Sequence, residues 1–327
     1  MSKPLLRVEN LRKWFPVRKG LIASLRGGEQ RYVRAVDDVS FDIEEHAVFG
    51  LLGESGCGKT TTGRSILRLI EPSGKIYFKD TEILGLERRE MKLLRKKMQI
   101  IYQDPYDSLH PRMTVLGIVA EPLRIHGVAG SQRVEELVAG ALEEVDLVPP
   151  QEFMNRFPHE LSGGQRQRLA IARALILKPE FIVADEPVSM LDVSLRAEIL
   201  ALMLRLREQY RISYLFITHD LAVARHMCDR AAIMYLGKIV EMGPMEDCVK
   251  GPLHPYNMAL ISAVPVPDPR AERSEANISG EAPNPMDPPP GCRFHPRCPY
   301  VMDVCRKVEP QLLEAKSGRH VACHLYS

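Results

Sequence analysis

The sequence predicts an α/β fold with a mostly parallel sheet, and three observations predict it. Short apolar runs typical of buried strands alternate along the chain with longer stretches of helical periodicity. One of these runs, residues 47–52, leads into a glycine-rich segment and then into a helical pattern, giving the order strand, loop, helix. Residues 114–178 interrupt the alternation with a mainly helical stretch, which we interpret as an inserted helical subdomain.

The individual elements follow from apolar runs and the turn residues between them. Strands are predicted at residues 5–8, 33–43, 47–52, 98–102, 181–185 and 213–218. Helices are predicted at residues 60–70 and 165–177, the second of them ended by Pro179. Residues 230–235 and 238–241 flank Leu236-Gly237 and are predicted to pair as a β-hairpin.

The composition limits the class of protein. The chain has 327 residues, of which 45% are hydrophobic and 26% charged, as is ordinary for a globular protein. Its 44 basic and 42 acidic residues leave no overall positive charge of the kind that nucleic-acid binding favours. The sequence has neither a run of about 18 consecutive apolar residues nor a start with the apolar core of a secretory signal. We therefore expect a cytoplasmic protein that would work at a membrane only by docking on other chains.

The glycine-rich segment Gly53-Glu54-Ser55-Gly56-Cys57-Gly58-Lys59-Thr60 has the P-loop spacing G-x-x-x-x-G-K-[ST]. Its glycines allow successive backbone N–H groups to converge on a triphosphate, the lysine reaches the β- and γ-phosphates, and the threonine hydroxyl ligates Mg²⁺. The predicted strand before it and the helix after it argue against a chance match. The residues predicted to bind nucleotide here are Gly53, Ser55, Gly56, Cys57, Gly58, Lys59, Thr60 and Thr61, and Thr60 is also predicted to hold Mg²⁺.

An acidic pair, Asp185-Glu186, stands at the end of the strand predicted at residues 181–185. A carboxylate at the end of a central strand faces the bound phosphates, so Asp185 is predicted to hold Mg²⁺ directly or through water. Glu186, one residue further, is predicted to act as the general base that polarises the attacking water. The alternative, a solvated acidic pair without a role, is disfavoured by the P-loop upstream.

A second short run, Leu161-Ser162-Gly163-Gly164-Gln165, opens the helix predicted at residues 165–177, with Ser162 as its expected N-cap. Free N–H groups at a helix start suit a γ-phosphate, although a turn between two helices would use the same residue types. Together with the P-loop and the acidic pair, this run resembles the ATPase subunits of ABC transporters. The resemblance implies a head-to-tail pair of subunits, in which Ser162, Gly163, Gly164 and Gln165 of one close over ATP on the P-loop of the other.

The resemblance covers about residues 5–262 and implies roles for isolated residues as well. His219 is similar to the family's switch histidine, which contacts the γ-phosphate and assists Glu186. Gln103 is similar to the Q-loop glutamine, a sensor of Mg²⁺ and water that couples to the transmembrane partner. Phe15 stands where the family keeps the aromatic residue that stacks on adenine, with Trp14 as the alternative, and a core role for either ring is also open.

The C-terminal part narrows the resemblance. The segments Gly251-Pro252-Leu253-His254-Pro255-Tyr256 and Gly291-Cys292-Arg293-Phe294-His295-Pro296-Arg297-Cys298 resemble the ATPases of dipeptide and oligopeptide importers, whose relatives import nickel, opines and murein peptides. That branch implies peptide import, two related ATPases beneath two permeases at the cytoplasmic face of the inner (plasma) membrane, and an extracytoplasmic substrate-binding protein. The alternative is a soluble ABC ATPase acting on ribosomes or nucleic acid, which usually carries two ATPase units or a long coiled coil.

The same C-terminal part divides the chain. We predict an ATPase domain at residues 1–262, with its helical subdomain at about 114–178, a proline-rich linker at 263–290 and a cysteine-rich tail at 291–327. The resemblance also implies an antiparallel β-subdomain near the N-terminus.

Four of the seven cysteines lie in the tail, at Cys292, Cys298, Cys305 and Cys323, spaced C-x₅-C-x₆-C-x₁₇-C. This is neither zinc-ribbon nor bacterial ferredoxin spacing. In a reducing cytosol, four thiols in a tail too small to have its own hydrophobic core favour a metal centre that stabilises the tail. The resemblance implies a [4Fe–4S] cluster on these four residues. The alternatives are Zn²⁺, with His295, His320 and His324 as possible substitute ligands, and four free thiols.

Overall fold

The computed structural model describes residues 3–17, 30–128, 131–263 and 283–326, so most of the predicted linker lies outside the described residues. The strands are β1 (Leu6–Pro16), β2 (Tyr32–Ile43), β3 (Val48–Leu52), β4 (Ser73–Phe78), β5 (Thr81–Glu82), β6 (Met98–Ile101), β7 (Phe181–Asp185), β8 (Ser213–Thr218), β9 (Arg230–Tyr235), β10 (Lys238–Pro244), β11 (Leu313–Lys316) and β12 (Arg319–Val321). The helices are α1 (Lys59–Ile66), α2 (Arg88–Leu94), α3 (Pro105–Ser108), α4 (Val115–His126), α5 (Ser131–Glu144), α6 (Pro150–Met154), α7 (Gly163–Leu175), α8 (Val193–Tyr210), α9 (Leu221–Met227), α10 (Met245–Lys250) and α11 (Pro255–Ser262), with short 3₁₀ turns at Pro158–Glu160, His295–Arg297 and Asp303–Arg306.

The strands form two sheets. A four-stranded antiparallel sheet has the order β2-β1-β4-β5. An eight-stranded sheet has the order β11-β12-β10-β9-β3-β8-β7-β6. In the larger sheet the five strands from β9 to β6 are parallel, whereas β10, β12 and β11 are antiparallel to their neighbours. The predicted parallel core is therefore confirmed in these five strands, and the predicted hairpin and the C-terminal strands extend it into a mixed sheet.

Two predicted boundaries differ from the structure for local reasons. The strand predicted at residues 5–8 continues to Pro16, because a β-bulge near Asn10, whose φ is 49°, shifts the register without ending the pairing. The first helix ends at Ile66, four residues before its predicted end, and Arg68 has the left-handed φ of 49° that follows many helix ends.

The larger sheet separates two hydrophobic cores. Along β7 the side chains alternate: Phe181 and Val183 belong to the core shared with β1, β2 and β4, and Ile182 and Ala184 to the core shared with the helices. A strand buried on both faces reads as the continuous apolar run that the sequence shows. The site-forming strand ends are thus held by packing on both sides of the sheet.

Helices α4 to α7 make up the predicted helical stretch. The hydroxyl of Thr114 caps α4 by accepting the backbone N–H of Gly117 at 3.2 Å. The apolar sides of α4, α5 and α7 join the helix-side core through buried residues such as Val119, Leu142 and Leu169. Within the ranges described above, no helix is long and apolar enough to cross a bilayer.

The C-terminal segment packs onto the ATPase domain. Strand β12 pairs with β10, with Val321 opposite Glu241. The buried ring of Phe294 lies 5.4 Å from that of Tyr235 and 5.5 Å from that of Tyr256. Two buried ion pairs, Arg293–Asp37 and Arg319–Glu241, also join the segment to the domain. The tail therefore shares the domain's core instead of forming one of its own.

Candidate active site

The P-loop lies between β3 and α1, in the context that its motif requires. Gly53, Gly56 and Gly58 all have positive φ, at 148°, 78° and 111°. A Cβ at Gly58 would lie 2.0 Å from the carbonyl oxygen of Ala35, and one at Gly53 would lie 2.2 Å from that of Met234. Both positions therefore demand glycine for space as well as for backbone conformation.

The Lys59 side chain contacts the backbone of the P-loop. Its Nζ donates to the backbone carbonyls of Gly53 at 2.8 Å and Glu54 at 2.9 Å, and its stem is buried. The ammonium group is therefore positioned inside the ring of the loop, where a lysine reaches bound phosphates. Cys57 is buried beside it, and burial raises the pKa of this thiol, which accordingly packs as a small neutral side chain.

Thr60 and Asp185 meet at the carboxyl end of β7. The Thr60 hydroxyl donates to Asp185 Oδ1 at 2.9 Å, and burial raises the pKa of that carboxyl group. A hydroxyl and a carboxylate oxygen at the start of the P-loop helix are the ligand types that Mg²⁺ takes in nucleotide sites. The donor set therefore fits the predicted Mg²⁺ role of both residues.

Glu186 lies between two other predicted residues. Its Oε2 accepts from Gln103 Nε2 at 3.1 Å, and its Oε1 lies 3.1 Å from His219 Nδ1. Its backbone φ of 47° is unusual for a residue other than glycine and is held by an N–H bond to the carbonyl of Ile217. Gln103 and His219, from the ends of the two strands that flank β7, thus converge on the carboxylate of Glu186.

Most of these groups line one cavity of about 550 Å³, whereas the predicted site residues Cys57 and Asp185 are not part of its lining. Its lining comprises Ala35, Gly53, Glu54, Ser55, Gly56, Gly58, Lys59, Thr60, Thr61, Gln103, Glu186, His219 and Leu260. Ala35, Glu54 and Leu260 were not among the predicted site residues. Glu54 occupies a variable position of the motif, and Ala35 and Leu260 reach the cavity through tertiary packing that no local pattern signals.

The Leu161–Gln165 run caps helix α7 and does not line that cavity. The Ser162 hydroxyl accepts the backbone N–H of Gln165 at 3.3 Å, while the Gln165 side chain accepts the N–H of Ser162 at 2.9 Å. Ser162 is exposed and Gly164 is buried against Leu195. The structure thus gives the predicted helix start but does not bring Ser162, Gly163, Gly164 or Gln165 into the cavity of their own chain.

Phe15 and Trp14 are both partly exposed near the end of β1 and do not line the cavity either. Trp14 donates its indole N–H to Asp37 at 3.2 Å and lies against the guanidinium of Arg34. Phe15 has the ammonium of Lys13 at 5.1 Å from its ring centre. Phe15 is 38% exposed, and its adenine role stays a prediction.

The four tail cysteines do not form a metal site as placed. All four are free thiols, and burial raises the pKa of Cys292 to about 11, with a further rise from the other three. Among the residues that the structure describes, no group of three or more Cys, His, Asp or Glu side chains is arranged to hold a metal ion. His295 donates instead to the carbonyl of Cys292, and His324 to that of Val308.

The expectation of a metal-bound tail on Cys292, Cys298, Cys305 and Cys323 is therefore not supported. It rested on a tail too small to have a core, whereas the tail is stabilised by the core of the ATPase domain. Cys292 and Cys298 pack against the same hydrophobic cluster as Phe294.

Comparisons with known proteins show what the chain as a whole is similar to. A family described as "ABC transporter" matches residues 36–189, and one described as "Oligopeptide/dipeptide transporter, C-terminal region" matches residues 240–305. A probable peptide ABC transporter ATP-binding protein of Sinorhizobium fredii is 47% identical over 99% of this chain and 91% of its own length. An oligopeptide transport ATP-binding protein of Bacillus subtilis is 45% identical over 100% of this chain and 98% of its own.

A solved structure is similar over the domain that holds the site. It is a dimeric ATP-binding cassette in a post-hydrolysis state bound to ADP and Pi, with 28% identity and a TM-score of 0.62. The alignment covers 73% of this chain and 98% of that one.

Proposed function

The chain belongs to the ATP-binding proteins of oligopeptide and dipeptide ABC transporters, and from this premise we propose that it powers the import of di- or oligopeptides, or of related small solutes. Members of this family are ATPases, and this chain is an ATPase of that type. The observation that carries the import proposal is the match of residues 240–305 to the C-terminal region of oligopeptide and dipeptide transporters. The contact of Glu186 with both Gln103 and His219 at the nucleotide cavity supports the hydrolytic step that would power it.

ATP would bind with its phosphates in the P-loop, where the backbone N–H groups and Lys59 neutralise their charge. Thr60 and Asp185 would hold Mg²⁺, aided by Gln103. The chemistry that Mg²⁺ would supply there is an offset of the negative charge that develops on the phosphate oxygens during transfer. The contact between Thr60 and Asp185 supports this assignment.

Glu186 would accept a proton from the attacking water. The water oxygen forms a bond to the γ-phosphorus, the bond to the ADP oxygen breaks, and inorganic phosphate leaves. His219 and Gln103 hold the Glu186 carboxylate from both sides and so fix its direction. Positioning of this kind is the main contribution a protein makes to phosphoryl transfer.

The Leu161–Gln165 run would complete the nucleotide site of a second subunit. Its exposed cap and the free N–H groups at the start of α7 suit a γ-phosphate presented from outside the chain. The proposal is a head-to-tail pair, with a related second ATPase as partner, beneath two permeases. The dimeric state of the solved cassette supports the pairing.

The assembly is tested by gentle purification of this chain from detergent-solubilised native membranes. The expected companions are two permeases, a second ATPase and an extracytoplasmic binding protein, at the cytoplasmic face of the inner membrane. Recovery of the chain only with ribosomes or nucleic acid would support the alternative, a soluble ABC ATPase, and remove the import proposal while leaving the ATPase activity intact.

A metal centre on the tail cysteines is a separate part of the proposal. The support for it is that the four thiols lie in one packed segment, in which the backbone N–H of Cys292 donates to the carbonyl of Cys305 at 2.8 Å. Iron, sulfide and zinc analysis of anaerobically purified protein is the test. About one [4Fe–4S] cluster per chain supports the cluster, zinc supports the rival ion, and neither element leaves four free thiols.

The division of the chain into an ATPase domain at residues 1–262, a linker at 263–290 and a tail at 291–327 also remains a proposal. The end of α11 at Ser262 supports its first boundary. Limited proteolysis followed by mass spectrometry tests it, with cleavage expected inside the linker.

A further inference from the structure

A side chain of the C-terminal tail contacts the P-loop. Arg297 Nη1 lies 3.2 Å from Oε2 and 3.3 Å from Oε1 of Glu54, the second residue of the loop. The Arg297 side chain is 11% exposed and that of Glu54 is 33% exposed, so the ion pair is partly shielded from water. The contact joins residues 243 positions apart in the sequence, and Arg297 itself belongs to none of the nucleotide-binding motifs.

Arg297 is held in place by packing. It is the last residue of the 3₁₀ turn His295–Arg297, and the buried Phe294 directly precedes that turn. Its guanidinium lies 6.0 Å from the ring centres of both Phe294 and Tyr235 and donates to the Tyr235 hydroxyl at 3.5 Å. A guanidinium fixed in this way loses little further freedom in pairing with a carboxylate, so the contact is preorganised.

Glu54 is bound on its main chain as well. Its N–H donates to the Tyr256 hydroxyl at 2.9 Å, and its carbonyl accepts from Lys59 Nζ at 2.9 Å. Tyr256 is buried against Phe294 in the same aromatic cluster. One P-loop residue is therefore connected to the P-loop lysine on one side and to the tail on the other.

The charge of Glu54 gives this contact a consequence for nucleotide binding. Glu54 lines the cavity that the triphosphate would occupy, and a bare carboxylate there would repel a polyanion. Arg297 supplies the opposite charge at hydrogen-bond distance. Removing it would leave the carboxylate uncompensated and free to turn into the cavity.

We propose that Arg297 is a positioning residue for the P-loop, which neutralises Glu54 and holds it away from the phosphates so that the ATPase binds ATP tightly. The inference rests on ATP binding at the P-loop, and it is independent of which transporter the chain serves. The tail thereby takes part in nucleotide affinity without touching the nucleotide.

The test compares Arg297→Gln with Arg306→Gln in the full-length chain, since Arg306 is a tail arginine that is exposed to solvent. Mg-ATP affinity is measured by equilibrium binding, KM and kcat by phosphate release, and folding by thermal unfolding. For Arg297→Gln we expect the Kd and KM for ATP to rise roughly tenfold, equal to about 1.4 kcal/mol, with kcat at saturating ATP changed less than about twofold. Arg306→Gln should match the wild type.

Two further variants separate charge from general damage. Glu54→Gln removes the carboxylate charge but keeps an acceptor for Arg297, so it should bind ATP at least as tightly as the wild type. Combined with Arg297→Gln it should restore the Kd to within about threefold of the wild type. Arg297→Lys, which keeps the charge, should lie between the wild type and Arg297→Gln.

Wild-type affinity in Arg297→Gln, or a loss that persists in the double variant, would overturn the proposal. If Arg297→Gln unfolds, the proposal is tested by Glu54→Gln alone. Weaker ATP binding by Glu54→Gln would contradict a repulsive role of the Glu54 carboxylate. Failure of the transporter assignment would leave all of these measurements unaffected.

Discussion

Two carboxylates of this molecule, Glu186 in the nucleotide cavity and Glu241 beneath the tail, are both largely enclosed by protein but have opposite surroundings. The Glu241 side chain is fully buried and accepts from four donors, the backbone N–H groups of Leu253 and His254 and the side chains of Asn257 and Arg319. The Glu186 side chain is 12% exposed, and one of its two side-chain partners, His219, is 56% exposed.

The difference separates a group that stabilises the fold from one that is available for chemistry. Glu241 has its lone pairs satisfied from several directions, so it fixes the chain around it and has no capacity left for a ligand. Glu186 keeps an open side toward the cavity, and its strained backbone is of the kind concentrated at functional sites. Substitutions in the two regions should therefore affect different measurements.

The largest effect is expected for Glu186→Gln. Loss of the general base should lower ATP hydrolysis about 10³-fold, while ATP still binds and the closed dimer accumulates. The control is Glu180→Gln at the opposite end of the same strand, where the carboxylate pairs with Lys79 and Lys97. Phosphate release and light scattering with ATP test this, and hydrolysis within tenfold of the wild type would contradict the assignment.

On the structural side, Arg319→Met should lower the free energy of unfolding by about 3 kcal/mol, because it leaves the Glu241 carboxylate buried without its cation. The ATPase rate per folded molecule should stay close to that of the wild type. Denaturant unfolding measures the change, with the exposed Arg306→Met as control. Adding Glu241→Gln to Arg319→Met should recover part of the loss, and no recovery would argue against an uncompensated charge as its cause.

The buried His254 allows the comparison to be tested through the dependence of folding stability on pH. Burial lowers the pKa of His254 to about 3, and its Nδ1 accepts the N–H of Tyr256 at 3.0 Å as the cap of α11. Below pH 6.5 the unfolded chain takes up a proton at this residue that the folded chain excludes, so stability falls as pH falls. His254 should contribute a loss of about 2 kcal/mol between pH 7 and pH 5.

His254→Asn keeps a capping acceptor but removes the titrating group, so it should abolish that contribution while leaving ATP hydrolysis per folded molecule unchanged. His219→Asn should lower hydrolysis, because it removes a partner of the Glu186 carboxylate. Unfolding curves at both pH values and phosphate release at pH 7 measure the two effects. An unchanged acid sensitivity in His254→Asn would argue against the buried neutral ring.

The smallest effect on stability is expected at two helix caps. Ser162→Ala and Thr114→Ala each remove a hydroxyl that accepts a backbone N–H at the start of a helix, at a cost of about 1 kcal/mol in unfolding free energy. Only Ser162 belongs to the run proposed to close over a partner's ATP. Hydrolysis should therefore fall about tenfold in Ser162→Ala and stay at the wild-type level in Thr114→Ala, whereas equal activities would remove the proposed role.

The nucleotide cavity could largely be anticipated from the sequence, because its residues stand at strand ends marked by local patterns. Asp185 and Glu186 follow a run buried on both faces, and Lys59 follows a glycine spacing that few other structures require. Leu260 could not be anticipated, because it reaches the cavity by tertiary packing alone.

The tail shows where such patterns fail. The spacing of its cysteines is visible in the sequence and predicted a metal site. The contacts that attach the tail to the domain are made instead by Arg293, Arg297 and Arg319, with carboxylates far away in the sequence. Strands β11 and β12 were not predicted either, because segments of four and three residues with mixed polarity give little indication of a strand. Long-range pairing leaves no period in the sequence.

The position of β12 has one more consequence, for solubility. Without it, β10 would present a row of unpaired backbone N–H and C=O groups beside buried Ile239 and Val240, a template for pairing with another chain. Strand β12 covers that row, and the sheet then ends at β11, which is short, largely exposed and carries Glu314 and Lys316. The tail thus replaces an edge strand with unpaired backbone groups by an edge strand that carries charged side chains. A chain truncated before β11 should therefore self-associate through β10.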